Sequence, residues 1–143
     1  MTFHARIIGT GSTTPKRILS NKDMEGIVDT TDEWIIRRTG IRERRISSKG
    51  KDEGTADMAL LASSRALEMA GVAPESLELI VVGTVTPDRQ FPSAACMVQK
   101  ELKAVNAAAF DVSAGCSGFL YALSIVNNAI KAGACKRALV VGA

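Results

Sequence analysis

Cys116 is the side chain of this 143-residue sequence best placed to do chemistry. It follows an apolar run, Ala108-Ala109-Phe110-Asp111-Val112, and three small residues, Ser113-Ala114-Gly115; Ser117-Gly118-Phe119-Leu120-Tyr121 comes next. That order predicts a buried strand, a tight turn and the opening of a helix, with the thiol facing the helix N-terminus. The partial positive charge there favours the thiolate, which is the form that attacks acyl groups. The competing reading of Cys116 is a small buried hydrophobe. The same reading is given to Cys96, among small residues in a predicted helix, and to Cys135, just before a predicted strand. A Cys–His pair needs a base, and the single histidine, His4, lies at the N-terminal end with no asparagine evidently paired to it.

Two further clusters carry candidate chemistry. The run from Trp34 to Arg45 holds five arginines, and Trp34 and Arg38 are four residues apart, on one face if the segment is helical. An indole beside a guanidinium suits a ligand with a purine ring and phosphates. The alternative is a solvated basic helix end with Trp34 in the core. Gly9-Thr10-Gly11 after an apolar run has part of a dinucleotide-binding pattern, but the third glycine is absent, Pro15 interrupts the helix that should follow, and no Walker lysine appears. These glycines are read as a turn.

The elements that must position these residues follow from periodicity. Ala5–Gly9 predicts a short strand. Thr30 and Glu33 have capping-box spacing ahead of a helix ending with Arg37 and Arg38 and closed by Gly40. Residues 49–54 read as a loop. A helix is predicted over 55–70, with Ala59, Leu60, Ser63, Leu67 and Ala70 as its apolar stripe, stopped by Gly71 and Pro74. Leu79–Gly83 and Ala138–Gly142 are continuous apolar runs, as expected of parallel strands covered on both faces. Pro92 is read as starting a helix through Leu102. Another runs from the Cys116 turn to about Ala132, with Phe119, Leu123, Val126 and Ile130 on one side. Alternation of strand and helix predicts a layered α/β domain.

Composition narrows the class. Hydrophobic residues make up 46% and the net charge is +3, enough for a core and a mild bias towards anionic partners without the signature of a nucleic-acid protein. The three cysteines form no CxxC pair and no metal-ligand pattern, and their odd number excludes a full disulfide framework. With no secretory signal and no apolar run of the roughly 18 residues a membrane span needs, the expectation is a soluble cytoplasmic protein. The sequence stops at Ala143 on a core strand, which is expected of a chain cut from a longer protein.

Several segments together resemble one family. Gly9-Thr10-Gly11-Ser12, Thr30-Thr31-Asp32-Glu33-Trp34-Ile35, Arg38-Thr39-Gly40-Ile41-Arg42-Glu43-Arg44, Phe91-Pro92-Ser93-Ala94-Ala95-Cys96 and the segment from Ala109 to Phe119 are similar to the N-terminal half of β-ketoacyl-acyl-carrier-protein synthase III. The resemblance implies an α/β, thiolase-like fold, in which residues 1–143 form one half of a five-layered αβαβα sandwich. It implies that Cys116 takes an acyl group from acyl-coenzyme A as a thioester. Decarboxylation of malonyl-acyl-carrier protein then gives a carbanion that attacks the thioester, the first elongation step of type II fatty-acid synthesis.

By the same resemblance, Thr30, Trp34 and Arg38 hold the adenine and phosphate end of coenzyme A. Phe91 reaches the acyl pocket of the neighbour in a homodimer joined along the strand 108–112. Acyl-coenzyme A is a substrate, not a permanent cofactor, and neither nucleic acid, membrane nor metal is implied. The family's catalytic histidine and asparagine belong to the other half, so this chain alone is expected not to complete condensation. Alternatives are a related starter or polyketide-type condensing enzyme, and a non-catalytic coenzyme A-binding or assembly module of the same fold.

Overall fold

A computed structural model describes residues 4–48 and 53–143. The chain forms two compact units, one of Thr14–Glu53 and one built from the segments on either side of it.

The larger unit carries the parallel sheet. In chain order it contains helix α3 (Thr55–Ala70), strand β3 (Leu79–Gly83), helix α4 (Ala94–Leu102), strand β4 (Ala108–Val112), helix α5 (Gly118–Lys131) and strand β5 (Ala138–Gly142). β3 is central, paired in parallel with β4 through Leu79↔Ala108 to Gly83↔Val112 and with β5 through Leu79↔Ala138 to Gly83↔Gly142. Alternate residues of β3 serve opposite layers, as strand pleating requires. Ile80 and Val82 pack with Ala59 and Leu67 of α3 and Ala94, Ala95 and Val98 of α4. Val81 packs with Ala122 and Val126 of α5. The result is three layers, with α3 and α4 on one face and α5 on the other, so the strands are apolar throughout.

The residue ranges predicted for α3, β3, β4 and β5 match the structure. Gly71, at φ 61°, closes α3 in the left-handed conformation glycine adopts without penalty. Pro92 does not begin α4: the Phe91–Pro92 bond is cis, and the Ser93 hydroxyl caps the helix by accepting the Cys96 N–H at 3.2 Å. Phe119 lies off the core face of α5, half exposed, because Ala122 and Val126 take the positions against β3.

The predicted strand Ala5–Gly9 is absent. Extended backbone needs a neighbouring strand, and residues 5–9 have none among the described residues. From Gly9 to Ser12 the chain lies instead along α3. A Cβ on Gly9 would meet Ala66 O and Ala70, and one on Gly11 would meet Ala62 O and Ala66 N. The glycines therefore serve close approach to a helix backbone rather than a turn or a phosphate. The Arg65 guanidinium secures the segment by donating to Ser12 O at 2.5 Å.

The smaller unit comprises strand β1 (Arg17–Ser20), helix α1 (Asn21–Glu25), helix α2 (Asp32–Thr39) and strand β2 (Glu43–Ile46), with β1 and β2 antiparallel. β1, α1 and β2 escape a reading by periodicity because they are four or five residues long and rich in charge. Asn21, only 1% exposed, is their hub. Its amide donates to Asp32 Oδ1 and Ile41 O and accepts from Arg44 Nη1, each at 2.8 Å. α2 forms as predicted and Gly40 closes it at φ 72°, but Thr31, not Thr30, is the cap, accepting the Trp34 N–H at 3.1 Å. The predicted loop over 49–54 lies mostly outside the described residues.

Gly83, at the end of β3, faces the first turn of α5. A Cβ there would sit 2.5 Å from Gly118 C and 2.7 Å from Phe119 N. Gly83→Ala should lower unfolding free energy by about 3 kcal/mol through backbone displacement, measured by urea denaturation. A loss below about 0.5 kcal/mol, the size of an ordinary surface change, would show that α5 can retreat without cost.

Candidate active site

Because the three strands run parallel, the segments leaving them all emerge at one edge of the sheet, where open α/β sheets bind ligands. Cys116 is on that edge. After Val112, Ser113 and Ala114 lead into a single 3-10 turn, Gly115–Ser117, and α5 begins at Gly118. Gly115 has φ 53°, and a Cβ on it would meet nothing within 4 Å, so the backbone angle and not crowding favours glycine. The Ser117 N–H donates to Ala114 O at 3.2 Å, and the Gly118 N–H donates to Gly115 O.

Cys116 sits inside this closed turn and is exposed. The sequence expectation of a direct strand–turn–helix corner is modified in one respect: a 3-10 turn intervenes before α5. Ser117 gives α5 no side-chain cap, so the first amides of the helix have no side-chain acceptor.

The other two thiols differ. Cys96 is half-buried, its Sγ 3.5 Å from Ala109 O. Cys135 is buried, and that burial, with a smaller contribution from the Glu78 charge, pushes its thiol above the ordinary value.

Asp111, which the sequence reading passed over as part of a strand, organises the same edge. Its two carboxylate oxygens accept the Ala94 and Ala95 N–H groups at 2.9 and 2.8 Å, capping α4 from β4. A charged residue inside an otherwise apolar strand is the signal that marks it. Phe91, on the segment joining β3 to α4, is 89% exposed.

Trp34, Arg38 and Thr30 belong to the smaller unit, Cys116 and Phe91 to the larger. Trp34 is 49% exposed and not core; Ile35 supplies the buried contact of α2 instead. The Arg38 guanidinium carbon stands 5.8 Å from the centre of the indole, within cation–π range, so the pair forms one flat cationic surface. Thr30 Oγ1 is buried without a hydrogen-bond partner among the described residues. Of the five arginines, Arg44 is committed to Asn21, and Arg45 lies 3.8 Å from Glu43. Among the described residues there is no group of histidine, cysteine and carboxylate side chains that could hold a metal ion, and no helix long and apolar enough to cross a membrane.

Residues 110–143, which include the Cys116 turn and α5, match the family model of 3-oxoacyl-[acyl-carrier-protein] synthase III. The β-ketoacyl-[acyl-carrier-protein] synthase III of Caldanaerobacter subterraneus subsp. tengcongensis is 55% identical over 139 residues, 97% of this chain and 41% of that protein. Nearly the whole chain is thus similar to β-ketoacyl-acyl-carrier-protein synthase III. The crystal structure of 3-oxoacyl-[acyl-carrier-protein] synthase III from Aquifex aeolicus is similar with a TM-score of 0.91 and 52% identity, over 96% of this chain and 44% of that one. A priming β-ketosynthase of a polyketide biosynthetic pathway is similar with a TM-score of 0.90 and 44% identity, over 94% of this chain and 40% of that one. The chain thus spans about two-fifths of the length of the synthase III relatives it matches. Its α/β body is one half of the thiolase-like sandwich.

The three thiols should separate on alkylation at neutral pH. Cys116 is expected to react at least about tenfold faster than Cys135, as read by peptide mapping; equal rates would contradict the burial of Cys135. Above the ordinary thiol value of 9.0, the unfolded chain loses a proton that folded Cys135 retains. Its contribution to stability is therefore complete below that pH and declines as pH rises towards the folded value. Denaturation followed into the alkaline range should show a shallower decline in Cys135→Ala.

Proposed function

We propose that this chain is the acyl-accepting part of a condensing enzyme that starts type II fatty-acid synthesis. The observation that carries the reading is the exposed thiol of Cys116, held on a positive-φ turn at the C-terminal edge of a parallel sheet, directly before a helix whose first amides lack a side-chain cap. The Cys116 thiolate attacks the carbonyl carbon of acyl-coenzyme A, a carbon–sulfur bond forms, and coenzyme A leaves as its thiol after taking a proton. Malonyl-acyl-carrier protein then loses carbon dioxide, and the resulting carbanion attacks the Cys116 thioester. A carbon–carbon bond forms, Cys116 leaves as thiolate, and the product is a β-ketoacyl-acyl-carrier protein. Charge developing on the thioester oxygen needs fixed donors, each worth about 10²–10³ in rate.

Trp34, Arg38 and Thr30 hold the adenine and phosphate end of coenzyme A. An exposed indole with a guanidinium over it, and a buried hydroxyl still without a partner, support that role. The protein works in the cytoplasm as a homodimer joined along β4, with Phe91 reaching the partner's acyl pocket. The outer edge of β4 has no neighbouring strand among the described residues, and Phe110 and Phe91 are exposed, which supports this arrangement. Decarboxylation falls to a histidine and an asparagine from a second thiolase-like half. The chain's one histidine, His4, is exposed and in no described hydrogen bond. A second reading, a priming synthase for polyketide-type chains, has the support of the 44% identity to such a ketosynthase.

Incubation with acetyl-coenzyme A followed by intact-mass measurement should show one acetyl group, mapped to Cys116 and lost in Cys116→Ala. Trp34→Ala and Arg38→Ala should each raise the half-saturating concentration about tenfold. Binding without acylation would favour a non-catalytic coenzyme A module. Turnover of malonyl-acyl-carrier protein by the isolated chain would show that the decarboxylating residues have been misassigned.

A further inference from the structure

Phe91 stands on a segment, residues 84–93, that has no regular secondary structure. Both ends of it are fixed. Thr84 is buried and its N–H donates to Val112 O at 3.1 Å, while Ser93 caps α4. Between Pro87 and Pro92, the hydrogen bonds among the described residues all run through one side chain, Asp88. Its Oδ1 accepts the Thr55 N–H at 2.9 Å, and its Oδ2 accepts the Ala56 N–H at 2.7 Å. Thr55 adds a third link, donating its hydroxyl to Thr86 O at 2.6 Å.

These amides are the first of α3, otherwise unpaired in a helix, and the helix dipole strengthens their hold on a carboxylate. Gly54 is part of the same lock. A Cβ there would fall on the Asp88 carboxylate, with Cγ at 3.1 Å, and 3.2 Å from Asp57 Oδ2. Its backbone, at φ −70° and ψ 171°, suits any residue, so the need for glycine is steric.

We propose that Asp88 is a positioning residue: by clamping the 84–93 segment to the N-terminus of α3 it fixes Phe91, and through Phe91 it sets the acyl-chain length accepted at Cys116 of the partner subunit. The proposal rests on the reading of Cys116 as acyl acceptor and of Phe91 as a wall of the acyl pocket across the homodimer. Phe91 makes no described hydrogen bond of its own, so the set of its neighbours in the chain decides where its ring stands. With the carboxylate gone, residues 87–92 keep no described hydrogen bond, and the segment is held only by the Thr55 link to Thr86 O and by its ends at Thr84 and Ser93. A wall that is free to move excludes long chains less well than one that is held.

The test uses the full chain as wild type, Asp88→Ala, Asp88→Asn, Gly54→Ala, Phe91→Ala and the Asp88→Ala/Phe91→Ala double variant. Two quantities are measured: hydrogen exchange of peptides covering 84–93, and the ratio of initial Cys116 acylation rates with hexanoyl- and acetyl-coenzyme A. Asp88→Ala and Gly54→Ala should speed exchange in that segment about tenfold while β3 stays protected, with Asp88→Asn intermediate. Should Asp88→Ala fail to fold, Asp88→Asn, which keeps the shape and one acceptor, carries the same comparison. Phe91→Ala should raise the hexanoyl-to-acetyl ratio by about tenfold, the scale of discrimination a pocket wall supplies. Asp88→Ala should raise it in the same direction, and the double variant should match Phe91→Ala alone.

Unchanged exchange in Asp88→Ala overturns the clamp. A fall in both rates at constant ratio, or effects that add in the double variant, overturns its action through Phe91. If wild type accepts neither acyl group, the Cys116 reading fails and takes the selectivity claim with it, whereas the exchange data still decide whether the clamp exists.

Discussion

The larger unit depends on the contact between the end of β3 and the first turn of α5. Gly83 and Gly118 meet backbone to backbone: a Cβ on Gly118 would stand 3.3 Å from Gly83 Cα, and one on Gly83 would stand inside the α5 backbone. Without side chains at both positions, α5 can lie directly on the central strand, with Ala122 and Val126 against Val81. The turn that precedes α5 is thereby brought to the C-terminal edge of the sheet, and Cys116 with it. A larger residue at either position would lift the helix, and the thiol would be displaced with it. Packing at one point thus fixes the location of the Cys116 thiol.

Around this contact the helices of the larger unit are held by carboxylates rather than by ion pairs. Asp111 joins β4 to α4, and Asp88 joins the 84–93 segment to α3, each by accepting two backbone amides. A carboxylate with two amide donors satisfies groups that a helix cannot pair internally and is directional in a way that an exposed ion pair is not. The two surface ion pairs among the described residues, Arg45–Glu43 and Lys100–Glu101, are long and solvated and hold nothing in place. Asn21 performs the corresponding task in the smaller unit, linking α2, β2 and the segment between them through a buried amide with donors and acceptor all in use. In both units, irregular segments are located by a polar group with full hydrogen bonding, because burial leaves no water to take its place.

The division of chemistry between the units is also physical. The sheet unit offers an exposed thiol on an edge where strand ends and a helix start converge. The smaller unit offers an aromatic face, a guanidinium and a buried hydroxyl without a partner among the described residues.

Much was legible in the sequence alone. The long helix 55–70, the three apolar strands, the glycines that end helices and the corner holding Cys116 are determined by local pattern, because apolar periodicity and positive-φ glycine act within a few residues. The pairing of Trp34 with Arg38 follows from helical spacing in the same way. Tertiary structure decided the rest. Residues 5–9 have strand composition but pair with no strand among the described residues, and the chain from Gly9 packs on α3. The short elements β1 and β2 rest on their mutual pairing, and Asn21 of α1 ties β2 to α2. Thr31 takes the cap that spacing gave to Thr30, leaving the Thr30 hydroxyl without a partner among the described residues. Asp88 and Asp111 read as ordinary loop and strand residues until the helices whose amides they bind are in place. Each of these outcomes depends on partners dozens of residues away or on competition between neighbours for one hydrogen bond, and neither is written in a local pattern. Cys116 shows both sides: its identity and turn were set by sequence, and its exposure at the sheet edge was set by two glycines meeting across the fold.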